Sequence, residues 1–394
     1  MAKRRLLLML KSLDIHPYSQ LDLLSRTTTP RVLFFFFVFI RYPPKIWKFL
    51  AECALLLPGV FSFWSLNALF HPIKTQRFGR FFVVPVRGKV PFWCLMKCQS
   101  GLWRLALNAE VLGYLENRRK VHEDAINFCQ DVLRKKVVDW QAICGNNLSQ
   151  DSQPIHNVDL VVTIGGDGTL LQASHFMDDS IPVLGVNSDP TQVQEVEEFS
   201  EEFDASRSTG HLCAATIGNF EQVLDDILDD RRTPSNLSRM SICLNSQLLP
   251  TYALNDALLA HPCPATVSRC SFKIKREGHP CSPLVHCRSS GLRVSTAAGS
   301  TAAMLSAGGF AMPILSQDLQ YMVREPISPG AAYSSLMHGL LKPDQSMVAS
   351  WFSKDGVIYI DGSDVSYSIK YGDTIEMSSK APVLKVFLPH HLLS

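Results

Sequence analysis

The sequence predicts an α/β N-terminal domain on an open sheet, followed by an all-β C-terminal domain. Three observations carry this. A strand-length apolar run, Val158 to Ile164, meets the turn Gly165-Gly166-Asp167-Gly168-Thr169, and a helix-like stretch follows from Leu170 to Met177. Strand-like and helix-like segments alternate up to about residue 234, as βα units require. Beyond Pro234 the apolar runs become short and are separated by Pro, Gly, Asn and Ser, which is the pattern of a β-rich domain.

Taken in order, Leu6 to Leu10 is a continuous apolar run after Arg4-Arg5 and reads as a buried first strand. Between Ala109 and Leu133, Val111, Leu112, Leu115, Val121, Ala125, Ile126, Phe128, Cys129, Val132 and Leu133 recur at helical spacing, predicting one broken or two consecutive amphipathic helices. Ile181 to Val186 is another strand. An acidic loop follows, and Asn219 is placed to cap a helix whose apolar face is Phe220, Val223, Leu224, Ile227 and Leu228. The later strands are expected at Met240 to Leu244, Tyr252 to Leu254, Ser271 to Lys275, Gly291 to Thr296, Gly356 to Ile360, Ile375 to Met377 and Val383 to Leu388.

Composition narrows the classes. With 46% hydrophobic and 19% charged residues in 394, the chain can bury sizeable cores and is not predominantly disordered. Residues 21–107 hold twelve Lys/Arg against two Asp/Glu, so the rest is mildly acidic and carries no nucleic-acid footprint. Eleven cysteines form no CxxC pair; no zinc site is expected, and reduced, mostly buried thiols are. No secretory or mitochondrial leader is read at the start, and the final His391-Leu392-Leu393-Ser394 is not an SKL-type address. The expected compartment is the cytoplasm, with peroxisome and mitochondrion as open alternatives.

The segment from Leu21 to Leu107 stands apart, with thirteen of the twenty-two phenylalanines, four of the six tryptophans and neither helical nor strand period. Three readings compete: a transmembrane helix at Cys53 to Phe70, interrupted by Pro58-Gly59 and Asn67; a docked insertion; or an inserted sequence without a packed fold, as translation of a normally removed intron would give. The third is favoured. The expected domains are therefore 1–20 with 108–234, an insertion at 21–107, and 235–394.

The chemistry is read from three motifs. Adjacent glycines at a strand end let a backbone approach a phosphate, and a following helix aims N–H groups and its positive dipole end at the anion. Such a turn lies where open, Rossmann-like sheets bind ligands, outside the carboxyl ends of the strands. Ala253-Leu254-Asn255-Asp256 is the second motif. The third runs from Ser290-Gly291-Leu292-Arg293 through Thr296 to Gly299-Ser300-Thr301-Ala302-Ala303 and Ser306-Ala307-Gly308-Gly309. Alone, each has an ordinary reading as a tight turn, a loop or a packed helix start.

In this order and spacing the three motifs resemble the NAD kinase family. Gly185-Val186-Asn187-Ser188-Asp189-Pro190 and Arg207-Ser208-Thr209-Gly210-His211-Leu212 resemble more specifically the plant NADH kinase and mitochondrial-type branch. The resemblance spans roughly residues 1–20 and 108–390 and implies the NAD kinase-like two-domain fold. It implies ATP-dependent phosphorylation of the adenosine-ribose 2′-hydroxyl of NADH or NAD, giving NADPH or NADP. Asp167 is the implied catalytic residue, as proton acceptor or as a ligand of Mg2+ or another divalent cation. Gly165, Gly166, Gly168, Thr169, Asn187, Asn255, Asp256, Thr296, Gly299, Ser300, Thr301, Ala302 and Ser306 are the implied nucleotide-binding positions, with Asn255 and Asp256 on the ribose hydroxyls. The expected partners are NADH or NAD, ATP and a second copy of the chain in a homodimer, with no nucleic acid and no membrane.

Ser290, Ala303 and Phe310 stand where the family usually has Asp, Tyr and Pro, departures that fall on the adenine-side contacts. His175, His211 and His261 form no triad and are given structural roles. The rival readings are a lipid kinase of the GGDGT type and an inactive nucleotide-binding protein disrupted by the insertion.

Overall fold

The computed structural model describes residues 4–11, 92–136, 139–144, 155–201, 203–327 and 334–393, with backbone alone at 92–112 and 143–144. Two compact units divide the chain, Met1–Leu13 with Glu116–Ser394, and Asp14–Leu115. Of the second, only the helix from Phe92 onward is described. The Cys53 to Phe70 span lies outside the described residues, and no helix among them is long and apolar enough to cross a membrane.

The first unit opens with β1 (Arg5–Leu10), continuing after helix α1 (Phe92–Lys135) with β2 (Asp139–Cys144), β3 (Leu160–Gly165), helix α2 (Asp167–Ser174), β4 (Val183–Asn187), helix α3 (Val193–Glu198), β5 (Ala215–Thr216), helix α4 (Phe220–Leu228) and β6 (Ser235–Leu237). Strand β1 lies between β2 and β3 in parallel, Leu6 opposite Trp140 and Leu160, and β3 pairs in parallel with β4. Order therefore reverses at β1 and β3, leaving a crevice at their carboxyl ends. The sheet is buried on both faces: Leu6 and Leu8 pack with Val132, Leu133 and Phe220, whereas Leu7 and Met9 pack with Leu170 and Ala173. This is why β1 reads as an unbroken apolar run.

Helix α1 is one continuous helix, not two, and of the apolar residues expected on its buried face it leaves Phe128 exposed. It begins at Phe92, inside the expected insertion. The chain holds no proline between residues 91 and 154, and the polar run Glu116 to Lys120 that separates the two apolar clusters consists mostly of good helix formers. The expected acidic loop contains α3. Asn219 does occupy the N-cap of α4, but its side chain makes no capping bond; Asn219 Oδ1 accepts from Thr216 N at 2.7 Å, closing the preceding turn.

The β-rich part comprises β7 (Ser241–Leu244), β8 (Gln247–Leu248), β9 (Asp256–Ala260), β10 (Ser268–Arg276), β11 (Val285–Ser289), β12 (Gly291–Ser295), helix α5 (Ala303–Ser306), β13 (Leu319–Arg324), β14 (His338–Leu341), β15 (Gln345–Trp351), β16 (Asp355–Ile360), β17 (Val365–Lys370) and β18 (Thr374–Ser378). Two six-stranded sheets result, β11-β10-β15-β18-β7-β8 and β14-β13-β12-β9-β16-β17. Phe272, Met347, Trp351 and Met377 from one enclose a core with Leu259, Leu292, Val294 and Ile358 from the other. Tyr252 to Leu254 is not a strand; a single bridge joins Ala253 to Met240, and the strand starts after the turn, at Asp256.

The last strand, β19 (Leu384–Phe387), does not join the β-rich part, although the sequence places it there. It pairs in parallel with β4, Val386 opposite Val183, and antiparallel with β6. Leu384 and Val386 are fully buried beneath α2, among Leu170 and Ala173. The division of the sheets thus falls after β6 and before β19 rather than at residue 234.

Candidate active site

Gly165 ends β3 at the crevice, and α2 starts three residues earlier than expected, which puts Asp167 in its first turn and Thr169, buried, within the helix. A carboxylate is favoured there by the helix dipole. Both of its oxygens accept backbone N–H bonds from the Arg207–Leu212 segment: Oδ2 from His211 at 2.9 Å and Oδ1 from Leu212 at 2.8 Å. Cys213 Sγ lies 3.7 Å from Oδ1, and burial beside this carboxylate raises its thiol pKa. Asp167 N, one of the donors expected to face a phosphate, donates instead to Ser208 Oγ at 3.2 Å. Gly166 permits this approach, because a Cβ there would come within 2.5 Å of the Ser208 side chain. Asn187 Nδ2 donates to Ser208 O at 3.3 Å. Asp167 and Asn187 thus converge on one loop.

The second group of expected residues gathers at the end of β12. Gly299 lies against the backbone of Asn255; an added Cβ would sit 2.2 Å from Asn255 O. Thr296 N and Ser295 Oγ donate to the same carbonyl at 2.9 and 3.1 Å, and Thr296 Oγ1 donates to Leu254 O. Asn255 Oδ1 is buried with no hydrogen-bond partner, an acceptor that water or a ligand must satisfy. Beside it Asp256, its side chain 12% exposed, pairs with Arg293. Burial pushes the Asp256 carboxyl up to about 6, against the Arg293 charge, which lowers it.

Two of the expected hydroxyls are engaged within the protein. Ser300 is buried and turned inward, its hydroxyl donating to Ala297 O at 2.7 Å and accepting from Met312 N at 2.9 Å, so it shapes the turn rather than offering a hydroxyl to a ligand. Thr296 is likewise used within the turn. Gly168, Ala302 and Ser306 are exposed and Thr301 is half-buried. Of the departures, Ser290 bonds Glu325, and the Phe310 ring lies 5.6 Å from that of His338.

Asp361 belongs to none of the sequence motifs. This residue follows β16 with a positive φ of 52°, a conformation Asp tolerates, and its carboxylate is fully buried. Oδ1 accepts from Asn255 N at 2.7 Å and Asp256 N at 2.9 Å; Oδ2 accepts from Leu254 N at 2.8 Å and makes a 2.9 Å contact with His175 Nε2. In sequence Asp361-Gly362 between two strands signals only a hairpin turn.

Residues 115–191 match the family described as the ATP-NAD kinase N-terminal domain. A protein of Arabidopsis thaliana named NADH kinase is 65% identical over 287 residues, covering 73% of this chain and 89% of that protein. The chain belongs to the NAD kinase family. A probable NADH kinase of Oryza sativa subsp. japonica is 59% identical over 286 residues, 73% of this chain and 87% of the relative. Among solved structures, the NAD kinase from Archaeoglobus fulgidus in complex with ATP superposes with a TM-score of 0.50 at 19% identity, covering 66% of this chain and 88% of that one. The shared fold is an NAD kinase fold: an open α/β sheet and a pair of antiparallel sheets.

The donor set fits a magnesium ion that arrives on ATP. Among the described residues no group of three or more His, Cys, Asp or Glu could cage a metal, and magnesium bound to nucleotide phosphates commonly takes only one or two protein carboxylates. Asp167, whose Oδ2 has a lone pair beyond its backbone bond, would be the carboxylate that holds it at the crevice.

Proposed function

We propose that the chain is an NAD(H) kinase that transfers the γ-phosphoryl group of ATP to the adenosine-ribose 2′-hydroxyl of NADH, with NAD as a second acceptor. The observation that carries this reading is the Asn255–Asp256 turn: a buried, unpartnered amide oxygen next to a buried carboxylate, braced from below by Asp361 and closed from above by Gly299. Two such acceptors match the vicinal hydroxyls of a ribose and fix which oxygen is presented. The choice of NADH follows the name of the relatives at 65% and 59% identity.

In the reaction the ribose 2′-oxygen bonds to the γ-phosphorus as the bond to the β,γ-bridging oxygen breaks, and ADP leaves. Phosphoryl transfer asks a protein chiefly for positioning and charge compensation. Asp167, held by His211 N–H and Leu212 N–H, takes the hydroxyl proton, or would hold a magnesium ion. A bound magnesium would supply charge neutralisation on the phosphates. The same proposal has the enzyme working in the cytosol as a homodimer.

The test is incubation of the purified chain with ATP, Mg2+ and either NADH or NAD, the product being read with an NADP-specific dehydrogenase. A lipid acceptor with labelled ATP is the control. Phosphorylation of the lipid, or NADH binding without turnover, would overturn the reading.

A further inference from the structure

The helix that begins at Asp167 ends at His175, which occupies its C-cap. His175 is nearly buried, and its Nε2 reaches the fully buried Asp361. Asp361 in turn binds three consecutive backbone N–H groups, Leu254, Asn255 and Asp256, and its own N–H donates to Asp256 O at 2.9 Å. Each carboxylate oxygen therefore carries two contacts, and the fourth of these comes from α2. We infer that His175 is a positioning residue for the dinucleotide: through Asp361 it locks the Asn255–Asp256 turn to the helix that carries Asp167, so that the two halves of the site are set against each other. The identity of the ligand rests on the kinase reading; the linkage does not.

A turn held by main-chain bonds alone could rotate about them. With three donors on one side and His175 on the other, the carboxylate plane is fixed, and with it the direction in which the turn presents Asn255 Oδ1. Among the described residues, no side chain other than His175 donates to Asp361. Buried polar networks of this kind are costly when partly satisfied, and small misplacements of a binding group far from the chemistry have large effects.

The experiment uses the full chain, with NADH binding followed by fluorescence titration without ATP, and initial rates measured separately. His175→Ala should weaken NADH binding about tenfold, equivalent to 1.4 kcal/mol, while the KM for ATP stays within about twofold, the scatter expected of independent sites. His175→Gln, whose amide nitrogen can occupy the Nε2 position, should restore most of the affinity. In His175→Ala/Asn255→Ala, the loss should exceed that of Asn255→Ala alone by no more than about twofold.

NADH binding by His175→Ala within about twofold of wild type, failure of His175→Gln to rescue, or multiplicative losses in the double variant would each overturn the inference. If His175→Ala does not fold, His175→Asn, whose shorter amide stops short of Asp361, replaces it under the same thresholds. A wild-type chain that binds NADH without phosphorylating it would sink the kinase reading and leave this inference to the titrations. An active wild type with an unaffected His175→Ala would do the reverse.

Discussion

Replacing Asp167 by Asn should abolish most turnover and also loosen the loop that holds the carboxylate. Each Asp167 oxygen accepts one backbone N–H, from His211 at 2.9 Å and from Leu212 at 2.8 Å. The amide keeps one acceptor and turns an NH2 group toward the other N–H, so one charge-assisted bond is lost, worth about 1.5–3 kcal/mol. The side chain is only half-buried, which puts the cost at the lower end, about 1.5 kcal/mol. For a unit of this size that corresponds to a fall in Tm of roughly 2 to 3 °C. Turnover should fall by about 100-fold or more, as for loss of a general base. Steady-state rates at saturating ATP and NADH, beside a thermal melt of the same preparation, measure both. A variant retaining more than about a tenth of wild-type turnover would refute the catalytic role, and an unchanged Tm would refute the hydrogen-bond argument.

Asn255→Ala should raise the KM for NADH and lower turnover while leaving the KM for ATP alone; movement of the ATP constant only would show that the ribose assignment is wrong. The Asp256 carboxyl, raised from an ordinary 3.8 to about 6 chiefly by burial, adds stability below its ordinary pKa that is lost as pH rises through about 6. Its ionised form, the better hydroxyl acceptor, forms over that same range, so the KM for NADH should fall between about pH 5 and pH 7. Asp256→Asn should flatten that profile, and a profile equally steep in the variant would remove Asp256 from the site. Arg239, fully buried, donates to Pro382, Ser174 and Met177 carbonyls at 2.7 to 3.0 Å; Arg239→Met should cost about 3 kcal/mol or more in a denaturant titration, since several buried carbonyls lose their partner. Deletion of residues 21–107 should preserve activity, and limited proteolysis should cut that segment first, because joining a strand to a helix needs only about 2 to 6 residues; loss of activity with uniform resistance would count against the insertion reading.

Much of the architecture was legible because burial on both faces writes itself as continuous apolar runs: β1, β3 and β4 fall within a few residues of their expected positions. The misses have physical causes. Strand β2 is an edge strand in which Asp139 and Gln141 are exposed, so its period is diluted. Strand β19 carries the same apolar signature in either sheet, and only a nonlocal pairing with β4 decides between them. At the site, the motifs located Asp167, Asn255, Asp256 and Gly299, which the structure draws into two clusters. What they did not show is which donors face inward: Ser300 and Thr296 hydroxyls look available in sequence yet are consumed within their own turn. Asp361 was invisible because its role depends on three N–H groups more than a hundred residues away.

The placement of β19 has a consequence for synthesis. Strand β4 offers one edge to two partners in succession, β5 against Val186 and Asn187 and β19 against Val183 and Leu184. As the chain leaves the ribosome, the amino-terminal sheet therefore waits with part of that edge, and the apolar surface of Leu170 and Ala173, uncovered until Leu384–Phe387 emerges, after the whole β-rich part. Nonlocal closure of this kind slows folding, and an unpaired strand edge with exposed apolar neighbours invites association with other nascent chains. A premature stop shortly before Leu384 would leave every motif of the site intact in sequence and still yield a protein unable to close its first sheet.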